Sequence, residues 1–196
     1  LAGTYTVVAT NAVTGCTNNM SGSAIITIDP LPTAYAVTGG GSFCPGGTGD
    51  TVGVNNSDPG TFYQLYVGGV PVGGALLAGT GGSLNFGLQP VLGTYTVVAT
   101  SGPGCINNMT GSATIANYPL PSLHMVTGGG SYCAGGPGVA VNLNGSDAGI
   151  HYQLMSGGSG VGIPIPGTGS AITFGPETAS GMYTVVATNA VTGCTD

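Results

Sequence analysis

Apolar and polar residues alternate in short stretches along the whole chain. In residues 94–100, Tyr95, Val97 and Ala99 share one face of an extended segment, and threonines dominate the other face. A period of two is typical of a half-buried strand and not of a helix. Gly, Pro, Asn and Asp bound further segments that we predict to be strands, at residues 51–54, 61–67, 83–86 and 112–116. No stretch predicts a helix of useful length.

The strand pattern belongs to a long internal repeat. The phrase GTYTVVAT at residues 3–10 returns unchanged at 93–100 and with one substitution at 181–188, and the triplet Tyr-Gln-Leu occurs at 63–65 and 152–154. The period of about 89 residues is that of a small β-sandwich domain. We therefore predict the C-terminal part of a preceding repeat at 1–30, a complete repeat at 31–119, and a repeat lacking its last strand at 120–196. On this interpretation the sequence is one part of a longer tandem array of repeats.

Six or seven short strands in roughly 90 residues predict an all-β fold of tandem immunoglobulin-like β-sandwich domains. Tyr95 lies at the start of the sixth strand, where such folds carry a tyrosine corner, and Tyr5 and Tyr183 repeat it. The alternative is that tyrosine simply suits a strand. Val97 lies where antibody domains have their second core cysteine, so the usual disulfide between the sheets is not expected.

Composition excludes several classes of function. The chain has no Lys or Arg and a net charge of -6, so we expect it to bind neither nucleic acid nor anionic lipid. Hydrophobic residues make up 41% of the chain, which predicts folded domains despite its 40 glycines. No apolar stretch reaches the roughly 20 residues that a spanning helix needs, so no membrane insertion is expected.

Five cysteines recur at fixed positions of the repeat. Cys44 and Cys133 precede the second strand of their repeats, whereas Cys16, Cys105 and Cys194 lie in the last hairpin loop. This spacing predicts disulfides and an oxidising compartment.

Three pairings of these cysteines are compatible with the repeat. The first closes each repeat on itself, through Cys44–Cys105 and Cys133–Cys194. The second joins neighbouring repeats, through Cys16–Cys44 and Cys105–Cys133. The third, Cys44–Cys194, links the bottom of one domain to the top of the next. The two loops lie at opposite ends of an ideal sandwich, which counts against the first pairing and more strongly against the second. We favour the first, because closing such a loop contributes about 4 kcal/mol in the chain-entropy model.

Residues that could support catalysis are scarce. The only histidines are His124 and His151, and they replace Tyr35 and Phe62 of the preceding repeat. A position that exchanges histidine with an aromatic residue predicts packing and not acid–base chemistry. We therefore expect no enzyme and no cofactor.

Single acidic residues, Asp58 and Asp147, occupy one shared position of the repeat, within Asn-Ser-Asp-Pro-Gly and Gly-Ser-Asp-Ala-Gly. A calcium loop needs several carboxylates, so turn formation is the favoured interpretation and a metal site is not expected.

Glycosylation sequons also recur in phase. They are Asn19 with its counterpart Asn108, and Asn55 with its counterpart Asn144. We predict these four asparagines as candidate glycan sites, since a nearly uncharged surface needs another source of solubility.

The combined motifs resemble a known group of proteins. Cys-Pro-Gly-Gly at 44–47, Tyr-Gln-Leu at 63–65, GTYTVVAT at 93–100 and Gly-Cys at 104–105 are similar to the Ig-like and PKD-like repeats of giant secreted surface proteins of Bacteroidota. The resemblance implies an extracellular, cell-surface location, related to gliding and adhesion filaments exported by the type IX system. It also makes Thr51, in Asp-Thr-Val, a candidate O-glycan site. Leu65 and Leu154 depart from the pattern, because many relatives have Trp there.

Three functions are compatible with these features. The first is a structural repeat of a filament, stalk or fibre, whose partners are neighbouring repeats or identical chains and whose joints are stiffened by Pro-Leu-Pro at 30–32 and 119–121. The alternative is an adhesin module that binds glycans or other surfaces. Rows of threonines suggest a third interpretation, ice binding.

Overall fold

The computed structural model describes every residue from 1 to 196 and consists of strands joined by turns and loops. None of its elements is a helix that could span a membrane. The chain divides into two compact units, one formed by 1–38, 53–85 and 96–112, and the other by 39–52, 86–95 and 113–196. The division passes through the middle repeat, whose elements belong partly to each unit.

The first thirty residues form two small hairpin-like pairs. Their strands are β1 (Gly3–Tyr5), β2 (Val8–Thr10), β3 (Thr17–Asn19) and β4 (Ala24–Ile26). β1 pairs with β4 and β2 pairs with β3, both antiparallel. All residues of these strands are exposed, so this segment has no core of its own.

The middle repeat contains nine strands. They are β5 (Val37–Gly39), β6 (Gly41–Phe43), β7 (Asp50–Val54), β8 (Thr61–Val67), β9 (Val70–Ala78), β10 (Leu84–Gln89), β11 (Gly93–Ser101), β12 (Ile106–Asn108) and β13 (Ala113–Asn117). One sheet has the order β10-β7-β5 and the other β6-β13-β11-β8-β9, with β12 also paired to β11. The first strand of the repeat is thus divided between the two sheets.

Glycine makes this change of sheet possible. Gly39 and Gly40, at the break, have φ of 89° and 83°, a region that side chains disfavour. A Cβ atom at Gly39 would collide with the carbonyl oxygen of Thr51. The Gly-Gly-Gly motif therefore lets β6 leave β5 and pair in parallel with β13.

Most predicted strands are confirmed. β8 has the predicted bounds, and in β11 the side chains of Tyr95, Val97 and Ala99 are buried as the alternation predicts. The structure adds a strand that the sequence analysis did not predict, β9 at Val70–Ala78. β9 is an edge strand, and an edge tolerates proline and glycine, which a central strand would not.

The third repeat forms a smaller sandwich. Its strands are β14 (Val126–Gly128), β15 (Val139–Leu143), β16 (Ile150–Ser156), β17 (Ser159–Pro166), β18 (Ile172–Glu177) and β19 (Tyr183–Asn189). They form the sheets β14-β15-β18 and β17-β16-β19. Leu143 and Ile172 of the first sheet share one buried cluster with Tyr152 and Ala187 of the second.

The tyrosine corner is confirmed in all three repeats. The hydroxyl of Tyr95 donates to the carbonyl oxygen of Val91 at 2.7 Å. Tyr5 and Tyr183 donate to the carbonyl four positions earlier, at 2.7 and 2.8 Å. With the strand order and the two-sheet core, this bond identifies the all-β fold as immunoglobulin-like. The predicted boundaries at residues 30 and 119 stay a prediction.

Candidate functional site

The Tyr-Gln-Leu triplet holds each repeat together at the start of its second hairpin. The hydroxyl of Tyr63 accepts a hydrogen bond from the backbone N–H of Asp58 at 2.8 Å, and Tyr152 accepts one from Asp147 at 2.9 Å. Both tyrosines are buried, and burial raises the pKa of Tyr63. These hydroxyls are structural, since each fixes the turn that leads into its own strand.

The glutamine of the triplet bridges an irregular stretch of strand pairing. Gln64 Nε2 donates to the carbonyl oxygens of Leu65 and Val72, at 3.0 and 3.1 Å. The register between β8 and β9 shifts at this point, so the amide satisfies carbonyls beside the irregularity. Gln153 repeats both bonds at 2.8 and 2.9 Å. Leu65 is 0% exposed and forms part of the core.

A buried serine connects two loops in each repeat. Ser57 Oγ donates to the carbonyl oxygen of Gly82 at 2.6 Å and accepts from the N–H of Thr80 at 3.0 Å. Ser146 does the same with Ser170 and Thr168, at 2.6 and 3.0 Å. The sequence signal for this serine is the Ser-Asp dipeptide that recurs in both repeats, but turn and sequon patterns alone do not predict its burial.

Asp58 also fixes the start of its repeat. Its carboxylate accepts a 2.6 Å hydrogen bond from the Tyr35 hydroxyl and a 3.0 Å bond from the N–H of Thr33. The Tyr35 bond is the main reason that the pKa of Asp58 is lowered, and the same bond raises the pKa of Tyr35. Within the described chain, no group of three His, Cys, Asp or Glu side chains could share a metal ion.

The two histidines lie in different environments, one packed and one exposed. His124 occupies the position that Tyr35 has in the preceding repeat. Its ring packs edge-on against the ring of Tyr152, with 6.2 Å between the centroids. Its Nε2 lies 3.4 Å from an Asp147 carboxylate oxygen but has no hydrogen-bond partner. The packing role predicted for His124 is thus confirmed. His151 is exposed, so the same prediction is wrong there, because its side chain points away from the core face of β16.

One disulfide is present, and it corrects the favoured pairing. Cys44 bonds to Cys194 across 150 residues, with a Cα–Cα distance of 5.3 Å. The same-repeat pairs Cys44 with Cys105 and Cys133 with Cys194 are therefore wrong. The physical reason is the sandwich topology noted above, since the loop before the second strand and the last hairpin loop of one domain lie at opposite ends.

The hairpin loop that carries Cys194 is held in shape by Asn189. Its Oδ1 accepts hydrogen bonds from the N–H groups of Val191 and Thr192, at 2.9 and 3.0 Å, a common Asx-type turn. Asn11 forms the same turn in the first segment. The turn places the carbonyl oxygen of Thr192 3.9 Å from Cys44 Sγ.

Three cysteines are free, namely Cys16, Cys105 and Cys133. Cys105 Sγ lies 3.8 Å from the carbonyl oxygen of Asp29, and Asn107 Nδ2 donates to the carbonyl oxygen of Pro32 at 2.8 Å. Cys105 therefore contacts the end of the preceding segment, whereas Asn107 bonds the first residues of its own repeat.

The third repeat carries an open groove of about 350 Å³. Its lining combines aromatic and apolar side chains with polar ones, among them Tyr132, Val139, Val141, Tyr183 and Glu177. In the middle repeat, the equivalent place between β6 and β11 is taken by β13.

The candidate glycan sites differ in what surrounds them. Asn19, Asn108 and Thr51 are exposed. Asn55 and Asn144 are exposed too, but each Oδ1 accepts a backbone hydrogen bond, from Ala36 at 3.0 Å and from Met125 at 2.8 Å. The serines of their sequons, Ser57 and Ser146, are buried.

Comparison with known proteins adds little to this picture. No protein-family model matches the chain. No curated protein matches it either. Among solved structures, the human OSCAR ligand-binding domain is similar at 17% sequence identity, over 81% of this chain and 90% of that one, with a TM-score of 0.37. The immunoglobulin-like assignment therefore depends on the strand order and tyrosine corners of the chain itself.

Proposed function

We propose that the chain is a non-catalytic structural repeat of an extracellular filament, stalk or fibre on a bacterial surface. The observation that carries the proposal is the disulfide between Cys44 and Cys194, which joins the start of one repeat to the last hairpin of the next. A bond at this place resists separation of successive repeats under tension. An isolated domain would gain more from a bond within itself.

The repeated side-chain bonds support the same function. Tyrosine corners, the Tyr-Gln-Leu triplet and the buried serines recur in phase, and each satisfies backbone groups of its own repeat. Residues that recur in this way build a domain and do not form a specialised pocket. Repetition of architecture is what a stalk or fibre requires.

The proposed location has its own support. A disulfide persists in an oxidising environment such as the cell exterior. The absence of Lys and Arg leaves trypsin-like proteases no cleavage site, which suits an exposed fibre. The bacterial surface follows from the resemblance to secreted Bacteroidota repeats.

Electron microscopy of the native, unreduced material tests the proposal. Long fibres with an axial repeat that matches one or two domains are the expected result. Flexible strings of separate beads would instead favour the alternative, an adhesin stalk whose binding domain lies elsewhere. Soluble single particles would contradict both.

A further inference from the structure

Two covalent routes connect Cys44 to Cys194. One is the disulfide, across which the Cα atoms lie 5.3 Å apart, and the other is the backbone, over a sequence separation of 150. Fully extended, that backbone would span about 500 Å, at about 3.3–3.6 Å per residue. When two links of such unequal length join the same two points, the shorter one becomes taut first. Residues 45–193 therefore form a closed covalent loop beside the direct route.

The segment that leads to Cys44 is already extended. β5 and β6 cover Val37–Gly39 and Gly41–Phe43, and Cys44 follows directly. An extended strand gains little length when it is pulled, so only the glycine break between β5 and β6 leaves any slack. Tension that enters ahead of β5 therefore passes along this backbone to Cys44 and through the disulfide to Cys194.

Hydrogen bonds hold this segment in place without carrying the tension. The N–H of Val37 donates to the carbonyl oxygen of Thr110 at 2.8 Å, and the carbonyl oxygen of Phe43 accepts from the N–H of Tyr118 at 3.0 Å. Tension breaks a hydrogen bond only where it pulls the two partners apart, and here both pulled points lie on the same strand segment. The load thus crosses the middle repeat through covalent bonds, and no strand pair has to open.

The disulfide is also shielded from solvent. Cys194 is 1% exposed, Cys44 is half-buried, and the carbonyl oxygen of Thr192 lies 3.9 Å from Cys44 Sγ. A reducing thiolate has to reach one of the two sulfurs, so limited access slows reduction of the folded chain. Tension that distorts the hairpin around Cys194 would uncover the bond.

We propose that the Cys44–Cys194 bond is the tension-bearing link of the chain, and that it keeps residues 45–193 folded and off the load path. This inference rests on the proposed function, because a stalk or fibre is what places the chain under tension. It adds a hidden length, since about 500 Å of backbone is released only when the bond is reduced. A bond from Cys44 to Cys105 would close residues 45–104 only and hide about 200 Å.

Single-molecule force spectroscopy of the full chain, held by tags at its two ends, measures the hidden length. The unreduced wild type should reach a fully stretched length about 500 Å shorter than that of the same protein in dithiothreitol. Cys44→Ser should match the reduced wild type, and Cys16→Ser, which removes a free thiol, should match the unreduced one. Equal lengths with and without reductant overturn the proposal. A difference of about 200 Å also overturns it, because that length belongs to a bond within one repeat.

The delay before lengthening at constant force, in dithiothreitol, tests whether the bond carries the tension. A thiolate of the reductant attacks one sulfur and releases the other cysteine as a thiolate; the second thiol of the reductant then displaces the first cysteine and closes a cyclic disulfide. Two electrons thus pass from the dithiol to the two cysteines. Because tension uncovers and stretches the bond, the delay should shorten as the force rises. A delay that is independent of force overturns the proposal.

The pulling measurements separate this inference from the proposed function, because they use single chains whether or not these form fibres. Native fibres built from chains that stretch fully without reductant leave the proposed function intact and end this inference. A hidden length of about 500 Å in chains that form no fibre does the reverse.

Discussion

The hydroxyl of Tyr95 donates a 2.7 Å hydrogen bond to the carbonyl oxygen of Val91, four residues earlier in the chain. The same bond forms at Tyr5, which is 46% exposed and has no core around it. The corner is therefore a local structure that does not require burial. Burial decides instead how much the bond contributes to stability, because solvent competes for the hydroxyl where it is exposed.

Tyr95→Phe should lower local stability by about 1 kcal/mol, since it removes a hydrogen bond from a fully buried side chain. Hydrogen–deuterium exchange of residues 91–101 measures this as faster opening of β11. Tyr5→Phe loses the same bond in an exposed setting and should leave exchange of residues 1–10 nearly unchanged. Equal effects at both sites would contradict this view of the corner.

Ser57→Ala should destabilise the middle repeat by about 1–3 kcal/mol. The substitution removes the buried hydroxyl of Ser57, which bonds both the carbonyl oxygen of Gly82 and the N–H of Thr80 and so joins two loops. Chemical denaturation compares this variant with Ser83→Ala, an exposed serine on the neighbouring turn. The prediction fails if the two variants unfold at the same denaturant concentration.

Cys44→Ser should lower the free energy of unfolding by about 5 kcal/mol in the chain-entropy model, because the disulfide constrains the unfolded chain over a separation of 150 residues. Cys194→Ser and the double variant should match it, since all three lack the same bond. Thermal unfolding without reductant makes the comparison, with Cys16→Ser as the control. A smaller loss in the double variant than in either single variant would assign the effect to the leftover thiol.

Acid should weaken the hydrogen bond between the Tyr35 hydroxyl and the Asp58 carboxylate. The folded-state pKa of Asp58 lies below its ordinary value of 3.8, chiefly because of the Tyr35 hydrogen bond. Its contribution to stability is thus fully present above that value and is lost as the pH falls through the folded-state pKa. Unfolding midpoints measured between about pH 5 and 2 should fall more steeply in the wild type than in Asp58→Asn.

Tyr35→Phe is the control for this pH effect. It keeps the ring and removes the hydroxyl that donates to Asp58, while the bond from the Thr33 N–H stays, so its pH profile should lie between those of the wild type and Asp58→Asn. A wild-type slope in Tyr35→Phe would show that another contact lowers the pKa of Asp58.

The alternation of apolar and polar residues is sufficient to predict many of the strands. The alternation in β11 and the bounds of β8 follow from residue order, because side chains of a strand alternate between its two faces. The same reasoning missed β9 and misplaced His151. Glycine and proline in β9 are tolerated only because the strand lies at an edge, and the outward direction of His151 depends on which face of β16 meets the core.

The sequence by itself determined the repeat, the all-β immunoglobulin-like class and the positions of the tyrosine corners, since all three depend on residues close together in the chain. Only the tertiary structure decided that Cys44 pairs with Cys194, because disulfide pairing depends on which loops meet in space. It also decided that the hydroxyls of Ser57 and Ser146 are buried between two loops, because each one bonds a carbonyl oxygen 25 or 24 positions away in the chain.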